Sequence, residues 1–537
     1  MPPERSLPPK TSTRVAPGTR RAHRGALALS CFLLASCHPV RAPAADTAHG
    51  TVNVEASTRI ASISAGQIGT NLGIWYDVTR PDLPRELARI HPGLLRWPGG
   101  SLSDTYHWRS HTECDGTVSQ PAYHPRSTFD HFMRDIVLPG HYDVALTVAY
   151  GTDAACTGGG DPREAAAWVA YARAHGEASR IRFWTVGNES FGGWETDRHA
   201  RPHDPVTYAA ALSGPAGYYA RMKAADPSAR IGVVVSGGGY GGWDSYVLAH
   251  APYDFVELHW YAADPGQESD AYLLHRAPAA FSKAIRTVRQ ELAAAGRPGT
   301  PILVGELNSV SYHPGKQTVS LVNGLFAGQV LAEGLLDGLA AEAWWFGVGG
   351  TQNCGYNDAP SLYGLQHWGS YDLVFADTTH AYNSCTGPGR GPIVPDGALS
   401  PSGVAFQLVT AFARPGAQLL AATADSADIR VYAATDGAGY ALLLFNLHEA
   451  RPARIELALH HAGTARYAAS ARTYGRAQYD SSRNDAWPGA ARRRLGVVGN
   501  TFALTLPPWS ITLVRLAAEA HSRPAARRET PARPHGS

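Results

Sequence analysis

Two short segments carry the residues best suited to chemistry. Phe183-Trp184-Thr185-Val186-Gly187-Asn188-Glu189-Ser190 and Ile302-Leu303-Val304-Gly305-Glu306-Leu307-Asn308-Ser309 each run from an apolar stretch through glycine into a carboxylate. A charge at the end of a buried run is costly to place without a use. Two such carboxylates facing one pocket satisfy the needs of retaining glycosidic cleavage. One protonates the leaving oxygen and later activates water, the other attacks the anomeric carbon, and they stand about 5–5.5 Å apart.

Positioning Glu189 and Glu306 requires a frame. From residue 60 to 350 the chain alternates apolar runs with helix-like stretches. The runs are Ile68–Trp75, Leu94–Pro98, Val144–Tyr150, Ile181–Val186, Ile231–Ser236, Phe255–Tyr261, Ile302–Val304 and Ala341–Val348. Most are nearly continuous in Val, Ile, Leu and aromatics, as strands buried on both faces should be. Helix starts lie between them, such as Asp161-Pro162-Arg163-Glu164 before Ala165–Ala174, and a longer helix is expected over about Ala271–Ala295. Eight β–α units predict an α/β fold, a (β/α)₈ TIM barrel with its chemistry at the C-terminal ends of the strands. A doubly wound open sheet is disfavoured, because no Gly-x-Gly-x-x-Gly turn follows the first strand. After about Ser400 short strands punctuated by Gly or Pro (Ile429–Ala433, Tyr440–Asn446, Arg454–Leu459, Arg466–Tyr474, Thr501–Leu506 and Ile511–Leu516) predict a C-terminal β-sandwich. The early strand Val52–Ala56 is expected to join it.

Gly187-Asn188-Glu189 and Gly305-Glu306 resemble the acid/base and nucleophile motifs of clan A glycoside hydrolases, whose catalytic glutamates end strands four and seven. Leu95-Arg96-Trp97-Pro98-Gly99-Gly100-Ser101, continuing to Tyr106-His107-Trp108, resembles the second-strand segment of family 51 α-L-arabinofuranosidases and the related family 39. The resemblance covers roughly residues 60–515 and implies a barrel with a β-sandwich built after it. It also implies Glu189 as acid/base, Glu306 as nucleophile and Asn188 as the group holding the sugar 2-hydroxyl. Two positions depart from the family 51 pattern: Ser101 stands where Asn is usual, and Leu307 where Trp is usual. These changes bear on the sugar more than on the chemistry, so β-xylosidase, endoglucanase and galactanase activities stand beside an arabinofuranosidase-like one, on plant or microbial polysaccharide or oligosaccharide.

The neighbours have plausible work. Arg96 ends the second strand and is expected to pair with Glu306. Glu189 is expected to keep its proton near neutral pH through burial and the nearby anion. His259 and Tyr261 end strand six, where the phenol is placed to donate to Glu306. Trp344 and Trp345 end strand eight; one is expected to stack under a sugar and the other to pack away, since successive strand side chains point in opposite directions. Ser101 touches recognition, and Trp194, Tyr240, Trp243, Tyr312 and Trp368 are loop candidates for further sugar contacts.

Composition narrows the alternatives. The chain has 537 residues with net charge +2, but residues 1–36 carry +5 and 521–537 carry +3, leaving a body near −6. A basic nucleic-acid footprint is therefore not expected. Arg20, Arg21 and Arg24 precede an apolar run, Gly25 to Ala35, that is too short to span a bilayer, followed by Leu34-Ala35-Ser36-Cys37. That reads as a lipoprotein signal over 1–36 with Cys37 lipidated; the alternative is an ordinary signal cut after Ala42-Pro43-Ala44. Outer-membrane or cell-surface attachment through lipid is expected, or a periplasmic or secreted protein if the lipid site is unused. Cys114, Cys156, Cys354 and Cys385 are then an even set in an exported protein and favour disulfides. Chain neighbours suggest Cys114–Cys156 and Cys354–Cys385, one of three pairings.

The expected organisation is a signal over 1–36, a linker and N-terminal strand over 37–58, the barrel over 59–400, the sandwich over 401–517 and a disordered tail over 518–537. No cofactor or metal is expected, and the partner is a carbohydrate substrate. A non-catalytic glycan-binding lipoprotein would keep the aromatics and lose an acid, whereas both acids are present. A metallohydrolase would need ligands clustered at strand ends, where His259 alone of 23 histidines is well placed.

Overall fold

The computed structural model describes residues 48–351, 357–376, 382–383, 387–388, 394–463 and 466–519, with backbone alone at 382–383 and 387–388. The signal segment with Cys37, both Cys354 and Cys385, and residues 520–537 of the tail lie outside the described residues.

Eight parallel strands close into a barrel: Ile68–Asn71, Leu94–Trp97, Asp143–Val148, Ile181–Val186, Ile231–Val235, Phe255–Ala263, Ile302–Val310 and Ala341–Trp344. Each falls on one of the apolar runs singled out in the sequence. The helix Pro162–Ala174 starts as its sequence dictates, with the Asp161 side chain accepting from the Arg163 N–H and Pro162 in the first turn. The long helix expected over Ala271–Ala295 is instead two, Asp270–His275 and Ala277–Ala294. Pro278 opens the second, where its missing N–H costs nothing.

Strand alternation builds the barrel interior in layers. Leu94, Ala145, Phe183, Phe255, Leu303 and Ala341 plug the lower end. Two residues further along, the same faces present Arg96, Thr147, Thr185, Glu257 and Gly305. The pairing of strands six and seven then skips a residue, passing from Leu258↔Val304 to His259↔Glu306. Such a bulge re-aims a side chain, and here it turns both Gly305 and Glu306 toward the interior.

The second domain is a nine-stranded sheet, mostly antiparallel, folded over its own core of Val52, Val54, Leu442, Leu444, Ile455, Leu457 and their neighbours. The N-terminal strand Ala48–Ser62 joins it, antiparallel to Gln418–Ala424 and parallel to Ala453–His460. The strands Gln418–Ala424 and Ala491–Val498 were not expected from sequence. The first is rich in alanine, and the second is an exposed edge strand with three consecutive arginines. Helix Pro401–Phe412, which sequence assigns to the sandwich, packs on the barrel helix Leu321–Leu336 and shares the barrel core. Strand Gly439–Asn446 bridges the two: Leu442 and Leu444 face the sandwich core, Leu443 and Phe445 the barrel. Among the described residues no helix is long and apolar enough to cross a membrane.

Candidate active site

Strand four leaves the barrel through Gly187, at φ 79°, where a Cβ would overlap the Ser190 hydroxyl. Only glycine fits this turn. It is followed by Asn188 and by Glu189, itself at φ 41°. Asp104, fully buried, accepts the N–H groups of Tyr150, Gly151 and Asn188 and so ties this turn to the end of strand three.

Arg96 is the hub. It has no exposed surface, and a buried guanidinium must be paired and hydrogen-bonded to be tolerated. Its Nη1 donates to Glu306 Oε1 (2.9 Å) and Asn71 Oδ1 (3.0 Å), and its Nη2 donates to Asn188 Oδ1 (2.7 Å). Its Nε lies 2.7 Å from Glu257 Oε1. Tyr261 donates to the other oxygen of Glu306 at 2.6 Å. Both oxygens of Glu306 are thereby held, one by a cation and one by a phenol.

Glu189 is held by different groups. Its Oε1 accepts from His259 Nδ1 (2.9 Å) and its Oε2 from the Trp194 indole N–H (2.7 Å). His259 Nδ1 is also 3.6 Å from Glu306 Oε1, and its Nε2 donates to Glu257 Oε1 at 3.0 Å. One oxygen of Glu189, a ring nitrogen of His259 and one oxygen of Glu306 all lie within 4.8 Å of one another.

The charges follow from this packing. Burial opposes charge on His259, but Glu306 and the hydrogen bonds to Glu189 and Glu257 outweigh it and push the imidazole up to about 10. Burial would raise Glu257; Arg96 first, then His259 and the Thr185 hydroxyl, hold it down at about 2. Glu189, expected to stay protonated, is instead held below the usual carboxylate range. Burial works the other way, but the imidazolium and the Trp194 N–H stabilise the anion more.

The sequence candidates divide accordingly. Glu189, Glu306, Arg96, Asn188, His259 and Tyr261 come together in one network. Ser101 stands at its rim, its hydroxyl donating to Glu195 Oε1 (2.9 Å), which also accepts from the Asn188 amide (2.9 Å). Of the two tryptophans ending strand eight, Trp344 is fully buried with its indole N–H on the Tyr371 carbonyl, so it packs away from the pocket. Trp345 turns the other way, against Trp75 and over Gly100. Trp194 and Tyr240 lie half-exposed and edge to face beside Glu189, and Tyr312 is also exposed. Trp243 is buried beneath them, and Trp368 packs with Phe375 and Trp487 in a separate cluster, so neither presents a face to a sugar.

Four residues of the network escaped the sequence reading: Glu257, Glu195, Asp104 and Asn71. Glu257 had a signal, since it shares the inward face of strand six with His259 and Tyr261 by period two. Glu195 sits in a loop and Asp104 ends the short 3₁₀ helix Ser101–Asp104, where no periodicity points inward. Burial, with repulsion from Asp197, raises Asp104 to about 7, and burial, with repulsion from Asp104 and Glu189, raises Glu195 well above the usual range.

No protein-family model matches the chain. Over 198 residues it is 26% identical to a probable alpha-L-arabinofuranosidase C of Aspergillus clavatus, and over 227 residues 25% identical to the Aspergillus niger protein of the same name. These alignments take in 32% and 35% of the chain; it spans 35% and 41% of the two relatives' lengths. Among solved structures, an alpha-L-arabinofuranosidase from Thermotoga maritima in an arabinose complex superposes with a TM-score of 0.64 at 17% identity, covering 87% of this chain and all of that one. The fold is that of these glycosidases. It is shared more widely: a bifunctional glucanase-xylanase, CelM2, from a metagenome library matches at TM-score 0.61 and 15% identity, and a monomeric beta-xylosidase from Caulobacter crescentus at 0.59 and 16%. Each covers 88% of this chain and is itself covered in full.

Proposed function

We propose that the protein is a retaining glycoside hydrolase of the arabinofuranosidase-like type, with Glu306 as nucleophile and Glu189 as acid/base. The observation that carries this reading is the approach of the two carboxylates within 4.8 Å, each held by its own set of donors. That spacing is nearer the about 5–5.5 Å of retaining enzymes than the about 6.5–9.5 Å of inverting ones, which supports the retaining reading. Arg96 and Tyr261 aim Glu306 at the anomeric carbon. Glu189 protonates the departing oxygen; after release of the leaving group it takes a proton from the water that cleaves the glycosyl-enzyme. Asn188, tied at both ends of its amide by Arg96 and Glu195, is placed to hold the sugar 2-hydroxyl. Trp345 and Trp194 offer apolar faces to the sugar and its leaving group.

The relatives' names favour an α-L-arabinofuranoside as substrate, whereas Ser101 and the xylosidase and glucanase neighbours favour testing further sugars. A panel of aryl α-L-arabinofuranosides, β-xylosides, β-galactosides and β-glucosides, with arabinan and arabinoxylan alongside, decides between them. Glu306→Ala should lose hydrolysis of the best substrate, and azide should restore turnover as a glycosyl azide of inverted configuration. Undiminished hydrolysis in that variant, or none by the wild type across the panel, overturns the reading. We also propose export with attachment through lipid on Cys37. The Cys114–Cys156 disulfide suits an oxidising compartment, and labelling with a radioactive fatty acid tests the anchor.

A further inference from the structure

Glu257 has no part in the chemistry described so far, and its place is unusual. It is a fully buried carboxylate one layer below the two acids, with Oε1 shared between Arg96 Nε (2.7 Å) and His259 Nε2 (3.0 Å), and Oε2 accepting the Thr185 hydroxyl. A side chain at Gly305, the residue just before Glu306, would overlap Glu257 Oε1 and crowd His259 Nε2. The glycine therefore does more than shape a turn: it leaves the space in which Glu257 reaches the imidazole. Each cation that holds a reacting carboxylate rests in turn on Glu257. Arg96 connects it to Glu306, and His259 connects it to Glu189.

We propose that Glu257 is a positioning residue that keeps one proton stored on His259 beside Glu189, so that the leaving-group acid of the resting enzyme is the His259–Glu189 pair rather than Glu189 alone. This rests on the glycosidase reading above. The charged groups facing His259 are Glu189 from strand four, Glu306 from strand seven, Arg96 from strand two and Glu257 from its own strand. Three anions against one cation hold the imidazolium. When Glu306 attacks, its negative charge passes into the new bond to the anomeric carbon, and one of the three anions is gone. The hold on the proton weakens at the moment it is needed. His259 Nδ1 then gives its proton to the Glu189 carboxylate, Glu189 passes one proton on to the glycosidic oxygen and is left an anion, and the breaking C–O bond leaves its electron pair on that oxygen. In the second half Glu189 takes a proton from water, the hydroxide oxygen bonds to the anomeric carbon, and Glu306 leaves as an anion. The regained charge draws a proton back to His259.

The test reads the imidazole directly, without substrate. In the intact protein labelled with ¹⁵N-histidine, with His259 assigned through His259→Gln, both ring nitrogens of His259 should stay protonated through neutral pH and titrate near about 10. In Glu257→Gln the midpoint should fall by about 1–3 pH units, while Glu257→Asp, which keeps the charge, should restore most of it. The basic limb of the kcat/KM profile should move down in parallel in Glu257→Gln. Titration of wild-type His259 near 6.5, or an unchanged midpoint in Glu257→Gln, overturns the proposal. The wild-type measurement stands even if Glu257→Gln does not fold. Because the titration needs no turnover, a wild type that cleaves no glycoside defeats the glycosidase reading while the charge role of Glu257 is still judged by the spectrum.

Discussion

Replacing Arg96 with Met tests whether a single cation holds the floor of the site together. The substitution keeps an apolar chain of similar length and removes the charge that faces Glu257 at 2.7 Å and Glu306 at 2.9 Å. Two estimates of the cost agree. Glu257 is held at about 2 against an ordinary 4.5, a net difference that corresponds to about 3–4 kcal/mol at pH 7 when each unit is worth about 1.4 kcal/mol. Breaking a buried ion pair by removing one partner costs about 3–5 kcal/mol. The variant should therefore lose about 3–5 kcal/mol at neutral pH.

The pH dependence sharpens this prediction. In the wild type Glu257 is depressed, so its contribution is complete above the ordinary carboxylate value of 4.5 and is lost only as pH falls through about 2. In Arg96→Met burial acts on Glu257 with His259 as its remaining cation, and the carboxyl takes up a proton at higher pH, which relieves the penalty. The gap between the two proteins should narrow from pH 7 to pH 5. Urea unfolding followed by the fluorescence of the 13 tryptophans measures it as a shift in midpoint at constant slope. A gap below about 1 kcal/mol at pH 7, within the ordinary range for single substitutions, would refute the hub role of Arg96, as would a gap equal at the two pH values.

Three further outcomes follow from the same geometry. Glu189→Ala should lose most activity on substrates with poor leaving groups and keep more on activated aryl glycosides; equal losses on both would count against its acid role. Gly187→Ala forces a side chain into the left-handed region and onto the Ser190 hydroxyl, costing about 1–2 kcal/mol in backbone terms alone. It should lower kcat by displacing Asn188 and Glu189, and wild-type kcat would defeat this account of the turn. Cys114 and Cys156 close a loop of 42 residues, so Cys114→Ser with Cys156→Ser should cost about 4 kcal/mol by chain entropy. A lowered Tm, matched by wild type in reductant, is the expected result, and an unchanged Tm in both refutes it.

Much of the frame was legible because it depends on local pattern. Strands buried on both faces must be continuously apolar, so all eight barrel strands stood out, and a carboxylate after glycine at the ends of two of them marked Glu189 and Glu306. The pattern failed where burial was one-sided or absent. Gln418–Ala424 has three alanines in seven residues, and the edge strand Ala491–Val498 is exposed along most of its length, so neither shows the signature of a strand.

The barrel, and the strand ends on which the two glutamates proposed as the acids stand, were thus determined by the sequence alone, since period and residue type act over a few neighbouring residues. Which tryptophan faces the pocket was decided by the closing of strand eight against Tyr371 and Trp75. The charge state of the site was decided later still. Sequence suggested a Glu189 that keeps its own proton, whereas folding sets His259 beside it from 70 positions away, which lowers the carboxyl and raises the imidazole. Electrostatic energies depend on distance through space in a medium from which water is excluded, and those distances exist only after strands two, four, six and seven have been brought around one axis.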